Sequence, residues 1–286
     1  MCAEAAGFDV FLLADHVGGG PAPMPALAAA AAATSTIRLG TFVLNADMRN
    51  PVQLAWEATT VDRLSGGRFE LGLGAGHTPH EYEATGIELK VPKRRKRALA
   101  ERVEIIRRLL DGETVTHPGN YHRLLDAAVP RSLQDHLPIL VGGNGAALLG
   151  HAGAHADIIG LQGLGRTHPD GHQHSVKWEV EHLDRQVEQI CAGAGTRIAE
   201  IELNALVQLV DVTDDAAQSL ASEAELIGDG MTATELAEIP YVLIGTVNEI
   251  ADEILRARDR WGITYFAVRA LDDFAPIIAR VRELEG

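Results

Sequence analysis

The sequence predicts an α/β fold in which parallel strands alternate with helices. Three observations point to it. Strand-like and helix-like segments alternate along the chain, about seven strands can be counted, and a glycine-rich strand at Ser65–Gly76 runs into a polar loop. Such alternation is the pattern of parallel strands joined by right-handed crossovers. A closed (β/α)8 barrel needs eight strands and about 250 residues. The 286 residues here are therefore enough for one barrel, but the count falls one strand short. With no internal repeat or low-complexity linker, one domain over residues 1–286 is expected.

Met1–Gly7 reads as the tail of a helix closed by Gly7, so a first strand and most of a first helix are expected to be absent. Phe8–Ala14 is an apolar run that predicts a buried strand, and Ala26–Ala33 an alanine-rich helix. Ile37–Leu44 alternates as a strand. Leu54, Ala58, Val61 and Leu64 form the stripe of the next helix. Arg68–Gly74 is a strand, and Leu99, Val103, Ile106 and Leu110 mark another helix. Pro118-Gly119-Asn120 within Thr114–Leu124 signals a hairpin. Pro138–Val141 and Asp157–Leu161 are short buried strands flanking a helix that starts near Ala146. A polar stretch, Gln162–Ser175, interrupts the alternation and predicts an insertion or lid around 162–178. The pattern then gives a helix over Val176–Cys191, a strand over Glu200–Val212 and a helix over Asp214–Ile227. A helix over Glu249–Trp261, a strand over Ile263–Val268 and a helix over Phe274–Leu284 complete it.

Composition excludes several functions. A formal charge of −15 argues against general nucleic-acid affinity and against an anionic membrane surface. Cys2 and Cys191 supply neither a disulfide framework nor metal-ligand spacing, and suit a reducing cytoplasm. No apolar run approaches the roughly 20 residues that span a bilayer, and no secretion signal opens the chain. A cytoplasmic protein is expected.

Chemistry concentrates where strands end. Phe8–Ala14 stops on Asp15 and His16, two titratable groups at a strand's carboxyl end; alternatively, Asp15 caps a turn and His16 is polar punctuation. Phe69, Leu71 and Leu73 alternate with Glu70, Gly72 and Gly74, then lead into Gly76 and His77-Thr78-Pro79-His80-Glu81. Glycines inside a strand imply close approach by another backbone or a ligand. Pro138–Val141 runs through Gly142-Gly143-Asn144-Gly145 into a helix, which together make an anion site and would suit a phosphate. It matches neither the Walker sequence nor the dinucleotide fingerprint. Arg49 either pairs with an acid or a phosphate, or flanks a helix on the surface.

The remaining clusters read as structural. His151 and His155 lie four apart on one helix face, but Ala-Gly-Ala between them lacks the glutamate of a zinc hydrolase. His168, Asp170, His172 and His174 read as a solvated lid ahead of a metal site. Lys93–Arg97 is a solvated helix entry, or a lure for a polyanionic ligand. No metal is expected.

In this order, the segments resemble the luciferase-like monooxygenase superfamily, and specifically its branch using the deazaflavin coenzyme F420. The landmarks are Asp15-His16, Thr41–Pro51, Leu64–Gly76, Arg94/Arg97/Glu101, Gly142–Gly145 with Ala156-Asp157, and Leu243-Ile244-Gly245-Thr246. The resemblance covers Gly7–Gly286. It implies a (β/α)8 TIM barrel of the bacterial luciferase-like type with an insertion near the seventh strand and the coenzyme at the carboxyl mouth. It also implies a non-proline cis peptide at Phe42–Val43 behind the ring, with Asn45 alongside. The ring-facing histidine would be His16, the Gly-x-Gly loop Gly74-Ala75-Gly76, and the phosphate loop Gly143, Asn144 and Gly145. Family members often carry a bulky or acidic residue where His77 stands, and arginine-histidine-proline at Arg49-Asn50-Pro51. These departures bear on substrate and proton donor.

The implied activity is hydride transfer between C5 of F420 and a small organic substrate. His16 would move a proton, oriented by Asp15, with His77 or Glu81 as a second candidate. The alternatives are an FMN-dependent monooxygenase on the same scaffold and a non-catalytic flavin-binding paralogue. Proteins of this kind resemble homodimers.

Overall fold

The computed structural model describes residues 2–167 and 174–286. Seven parallel staves curl side by side: β1 (Val10–Leu13), β2 (Arg38–Thr41, resuming at Leu44–Asn45), β3 (Phe69–Gly74), β4 (Ile139–Gly142), β5 (Ile158–Leu161), β6 (Glu202–Leu206) and β7 (Ile263–Ala267). Their spatial order follows their chain order, as right-handed crossovers require. Among the described residues, β1 pairs only with β2 and β7 only with β6, so the barrel is open along one seam.

The inner staves are near-continuous apolar runs because both faces are covered; β1, expected to be buried, instead lies at the open margin with Phe11 exposed and its other residues only half-buried. Leu39, Leu71, Leu73, Ile139, Ile159 and Ala205 are buried beneath the outer helices. Polar side chains also enter the staves: Asn204 on β6 is fully buried, and so is an acid on β3. Glu70 on β3 is fully buried and pairs with Arg38, while the Tyr265 hydroxyl on β7 donates to its Oε1 at 2.9 Å. Burial raises the Glu70 carboxyl above its ordinary range, against the pull of Arg38.

Helix Pro92–Leu110 buries the expected stripe of Leu99, Val103, Ile106 and Leu110. Helix Pro51–Ser65 departs from its expected stripe. Leu54, Ala58 and Val61 are buried, but Leu64 is exposed and Ser65 is buried in its place. At about 100° per residue, Ser65 returns to within about 20° of Leu54 and Leu64 swings about 80° away. The hairpin at Pro118-Gly119-Asn120 joins antiparallel strands Val115–His117 and Leu124–Ala127.

Four expectations are corrected. The strand over Ile37–Leu44 is broken at the Phe42–Val43 peptide, which is cis. Thr41 bridges the break: its hydroxyl donates to the Gly72 carbonyl and accepts from the Gly72 N–H, both at 2.8 Å. The single strand over Glu200–Val212 is two. After β6 the backbone changes partners, Val207 N bonding Ala267 O and Gln208 N bonding Tyr241 O, and Leu209–Val212 pairs in a separate parallel sheet with Val242–Gly245. The polar stretch carries antiparallel strands Leu164–Thr167 and His174–Val176. The following helix therefore begins at Val180, not Val176. His168, Asp170 and His172 lie outside the described residues. No helix among the described residues is long and apolar enough to cross a membrane.

Gly72 tests the backbone approach at the break. A Cβ there would stand 1.7 Å from the Thr41 carbonyl oxygen. Gly72→Ala should lower unfolding free energy by about 3 kcal/mol. Gly20→Ala, where a Cβ meets nothing within 4 Å, should stay within about 0.5 kcal/mol. Urea denaturation of the two variants checks both values.

Candidate active site at the barrel mouth

All seven staves end at one rim, and their trailing residues line a cleft of about 1460 Å3. Parallel barrels bind ligands at this end. The volume exceeds a typical single-ligand pocket of roughly 300–1000 Å3, partly because the cleft continues along the open seam past Val10, Leu12 and Tyr265.

Asp15 and His16 leave β1 together and separate. The Asp15 carboxylate is buried, accepting from Asn45 N at 2.8 Å and from both terminal nitrogens of Arg49, Nη2 at 3.0 Å. Its acceptor sites are taken by that fork, so the expected orientation of His16 by Asp15 is corrected. Glu81 meets the imidazole in its place: His16 Nδ1 lies 2.8 Å from Glu81 Oε1. An ionised carboxylate there fixes the proton on Nδ1 and leaves the Nε2 lone pair free. The Glu81 side chain is 3% exposed and that of His16 52%, so a buried acid backs an imidazole that faces the cleft.

His77 stands beside this pair, its ring centroid 6.5 Å from that of His16. Its Nε2 is 3.1 Å from Nε2 of His174, the member of the expected histidine loop that reaches the rim. Burial first, then the neighbouring His174, His16 and Arg95, which oppose a further positive charge, push His77 down to about 4. It is therefore neutral at pH 7 and a poor acid there.

Val43, after the cis peptide, packs over two glycines. A Cβ on Gly74 would lie 2.5 Å from Val43 Cγ2, and one on Gly142 would lie 2.9 Å from Cγ1. Next on the rim, Asn45 Oδ1 accepts from Asp47 N at 3.2 Å and from the Tyr82 hydroxyl at 3.3 Å. Gly76, with φ +68°, packs against the same two groups; a Cβ would meet the Tyr82 hydroxyl at 2.2 Å. Only glycine fits both constraints. Ala75 lines the cleft between these glycines.

On the far side, β4 runs through Gly142 and Gly143 into helix Ala146–His155. Asn144 is spent internally, Nδ2 donating to Leu164 O and Oδ1 accepting from Gln186 at 2.9 Å. The loop therefore offers an anion not this amide but the amino terminus of the helix after Gly145 and the Lys96 ammonium. Lys96 Nζ donates to Asn144 O at 2.6 Å and, among the described residues, has no carboxylate within ion-pair distance. Burial lowers its pKa, with Arg95 adding to the shift.

The basic run thus divides its labour. Arg95 is buried and donates from Nε to Gly76 O at 3.1 Å, holding the glycine loop. Arg94 lies over the Tyr121 ring. The sequence signalled a cluster of cations but not which one turned inward. Gln162 and Gln208 also line the cleft and carried no separate signal in the sequence.

The sequence model of the luciferase-like monooxygenase family matches residues 2–239. An F420-dependent glucose-6-phosphate dehydrogenase of Amycolatopsis mediterranei is 30% identical over 212 residues, covering 71% of this chain and 62% of that protein. A 4-hydroxyprotoasukamycin monooxygenase of Streptomyces nodosus subsp. asukaensis is 33% identical over 193 residues, 62% of this chain and 50% of that one. The chain thus spans about half to three-fifths of the length of the curated relatives it matches. The coenzyme F420-dependent tetrahydromethanopterin reductase of Methanopyrus kandleri shares the fold, with a TM-score of 0.71 at 21% identity over 97% of this chain and 91% of the other.

Two outcomes follow from the geometry. Asp15→Ala leaves the Arg49 guanidinium without its buried partner and should cost about 3 kcal/mol of stability by chemical denaturation. His77 binds its proton more weakly folded than unfolded. Between pH 6.5 and about 4 the unfolded chain therefore holds more protons, and stability falls as pH falls through that window. His77→Asn should make that slope shallower in denaturation curves taken from pH 7 to 4, with His122, which burial likewise pushes down to about 4, keeping its own share.

Proposed function

The chain belongs to the luciferase-like monooxygenase family, and from that membership we propose that it is an oxidoreductase taking coenzyme F420 at the barrel mouth to act on a small organic substrate. One observation carries the reading: the half-buried Lys96 ammonium, without a carboxylate among the described residues, stands at the Gly143–Gly145 loop opposite His16. A cation left uncompensated at a helix amino terminus suits a phosphate. The relatives named as F420-dependent dehydrogenases support this coenzyme.

Lys96 and the amide groups before helix Ala146–His155 hold the phosphate. Gly74, Ala75 and Gly76 keep one wall thin, while Phe42 and Val43 back the ring and Asn45 braces the turn behind it. When bound, the deazaflavin supplies a carbon that takes up or returns a hydride. His16 Nε2 accepts the substrate proton, and the buried Glu81 carboxylate stabilises the imidazolium that results. Neutral His77 donates a hydrogen bond. Asp15 positions Asn45 and Arg49 and does not touch His16. The chain acts as one barrel domain, and of the insertion expected around 162–178 the described residue His174 borders the mouth through its contact with His77.

The second reading is an FMN-dependent monooxygenase, which the 4-hydroxyprotoasukamycin monooxygenase relative favours. Titration of the purified protein with each coenzyme separates them. F420 should bind at micromolar level or better, with FMN at least tenfold weaker; the reverse order would sink the F420 reading, and no binding of either would favour a non-catalytic paralogue. Lys96→Ala should weaken F420 binding about tenfold. His16→Ala should slow turnover about 100-fold or more, with coenzyme binding nearly unchanged.

A further inference from the structure

We propose that Glu104, His151 and His155 bind a divalent transition-metal ion of the Zn2+ type on the outer face of the barrel, apart from the mouth. His151 and His155 sit four apart on helix Ala146–His155, so both imidazoles project from one face. Their ring centroids are 4.4 Å apart. The acid missing between them in sequence comes from the neighbouring helix Pro92–Leu110. Glu104 Oε1 lies 3.8 Å from His151 Nδ1 and 3.9 Å from His155 Nε2. All three ligand atoms fall within 4.8 Å of one another.

The distances decide in favour of a metal. Around tetrahedral zinc, with bonds of about 2.0–2.1 Å, neighbouring ligand atoms stand about 3.4 Å apart. The two contacts to Glu104 therefore need to contract by about half an ångström and the histidine pair by no more than about 1.4 Å, which rotamer changes of exposed Glu104 and half-buried His155 can supply. The tautomer is also set. His151 Nε2 lies 3.1 Å from the Ala100 carbonyl, which can only accept, so the proton sits on Nε2 and the Nδ1 lone pair faces Glu104. Anchoring of a ligand imidazole through its other nitrogen to a carbonyl is the usual outer-shell arrangement of metal-binding histidines. Two imidazoles and one carboxylate leave the fourth position to water, which suits zinc and other borderline ions better than magnesium or calcium.

Such an ion would clip together two helices whose amino-terminal parts carry Lys96 and the Gly143–Gly145 loop. None of its three ligands lines the cleft, so loading and coenzyme binding can be read separately.

Chelator-stripped, untagged protein titrated calorimetrically with ZnCl2 tests the site. The wild type should take up one equivalent at this site with micromolar or tighter affinity. Saturating Zn2+ should raise the melting midpoint by a few degrees, and Co2+ should give the visible bands of a tetrahedral ion. Glu104→Gln and His155→Ala should each weaken that equivalent at least tenfold and abolish the cobalt bands. Glu104 is exposed and His155 only half-buried, so both variants should fold, and F420 binding should be unchanged. Any equivalent bound near His16 and His77 should persist in these variants and is thereby told apart. No binding below about 100 μM, or an unaltered equivalent in Glu104→Gln, would overturn the proposal.

Discussion

The mouth of this barrel depends on the Asp15 carboxylate. It accepts the Asn45 N–H and the Arg49 fork at once, tying the end of β1 to the turn that follows β2. Asn45 then accepts from Tyr82, and Tyr82 packs under Gly76. Nearby, Asp47 pairs with the buried Arg102 of helix Pro92–Leu110. One charged group at a strand end thereby fixes three loops. A buried ion pair stabilises only when its remaining polar atoms are also satisfied, and the backbone donor at Asn45 helps to satisfy them here. His16, one residue along, depends on this anchor for its place without touching it.

Much of the fold was legible because parallel staves and amphipathic helices repeat simple periods. Seven staves and the hairpin at Pro118-Gly119-Asn120 fell where these periods and turn residues put them, and the cis peptide lies at Phe42–Val43, where only the family resemblance implied it. The failures have two causes. Val207 and Gln208 look like a continuing strand, yet their N–H groups bond to partners from different parts of the chain. Local pattern does not encode that change. Leu64 is apolar but out of phase with the buried face of its helix, where small, polar Ser65 is in phase.

At the site, residue types were readable and pairings were not. Asp15 beside His16 in sequence suggested a couple, but Glu81, 65 positions away, holds the imidazole. Likewise Glu104 joins two histidines that carry no acid between them. Electrostatics explains part of the arrangement. In a chain of net charge −15, desolvated cations such as Lys96 and Arg95 are costly to hold and so mark where negative charge is to be received.

The open seam has a mechanical consequence. Among the described residues, each marginal stave is hydrogen-bonded on one side only, whereas the inner staves are paired on both and β4 lies furthest from either margin. Resistance to transient opening should be graded in the same way, lowest along Val10–Leu13 and Ile263–Ala267 and highest at the centre. The Gly143–Gly145 loop follows that central stave, whereas Asp15 and His16 follow a marginal one. On the function proposed above, the coenzyme would be gripped from the firm side of the barrel and the proton moved on the yielding side.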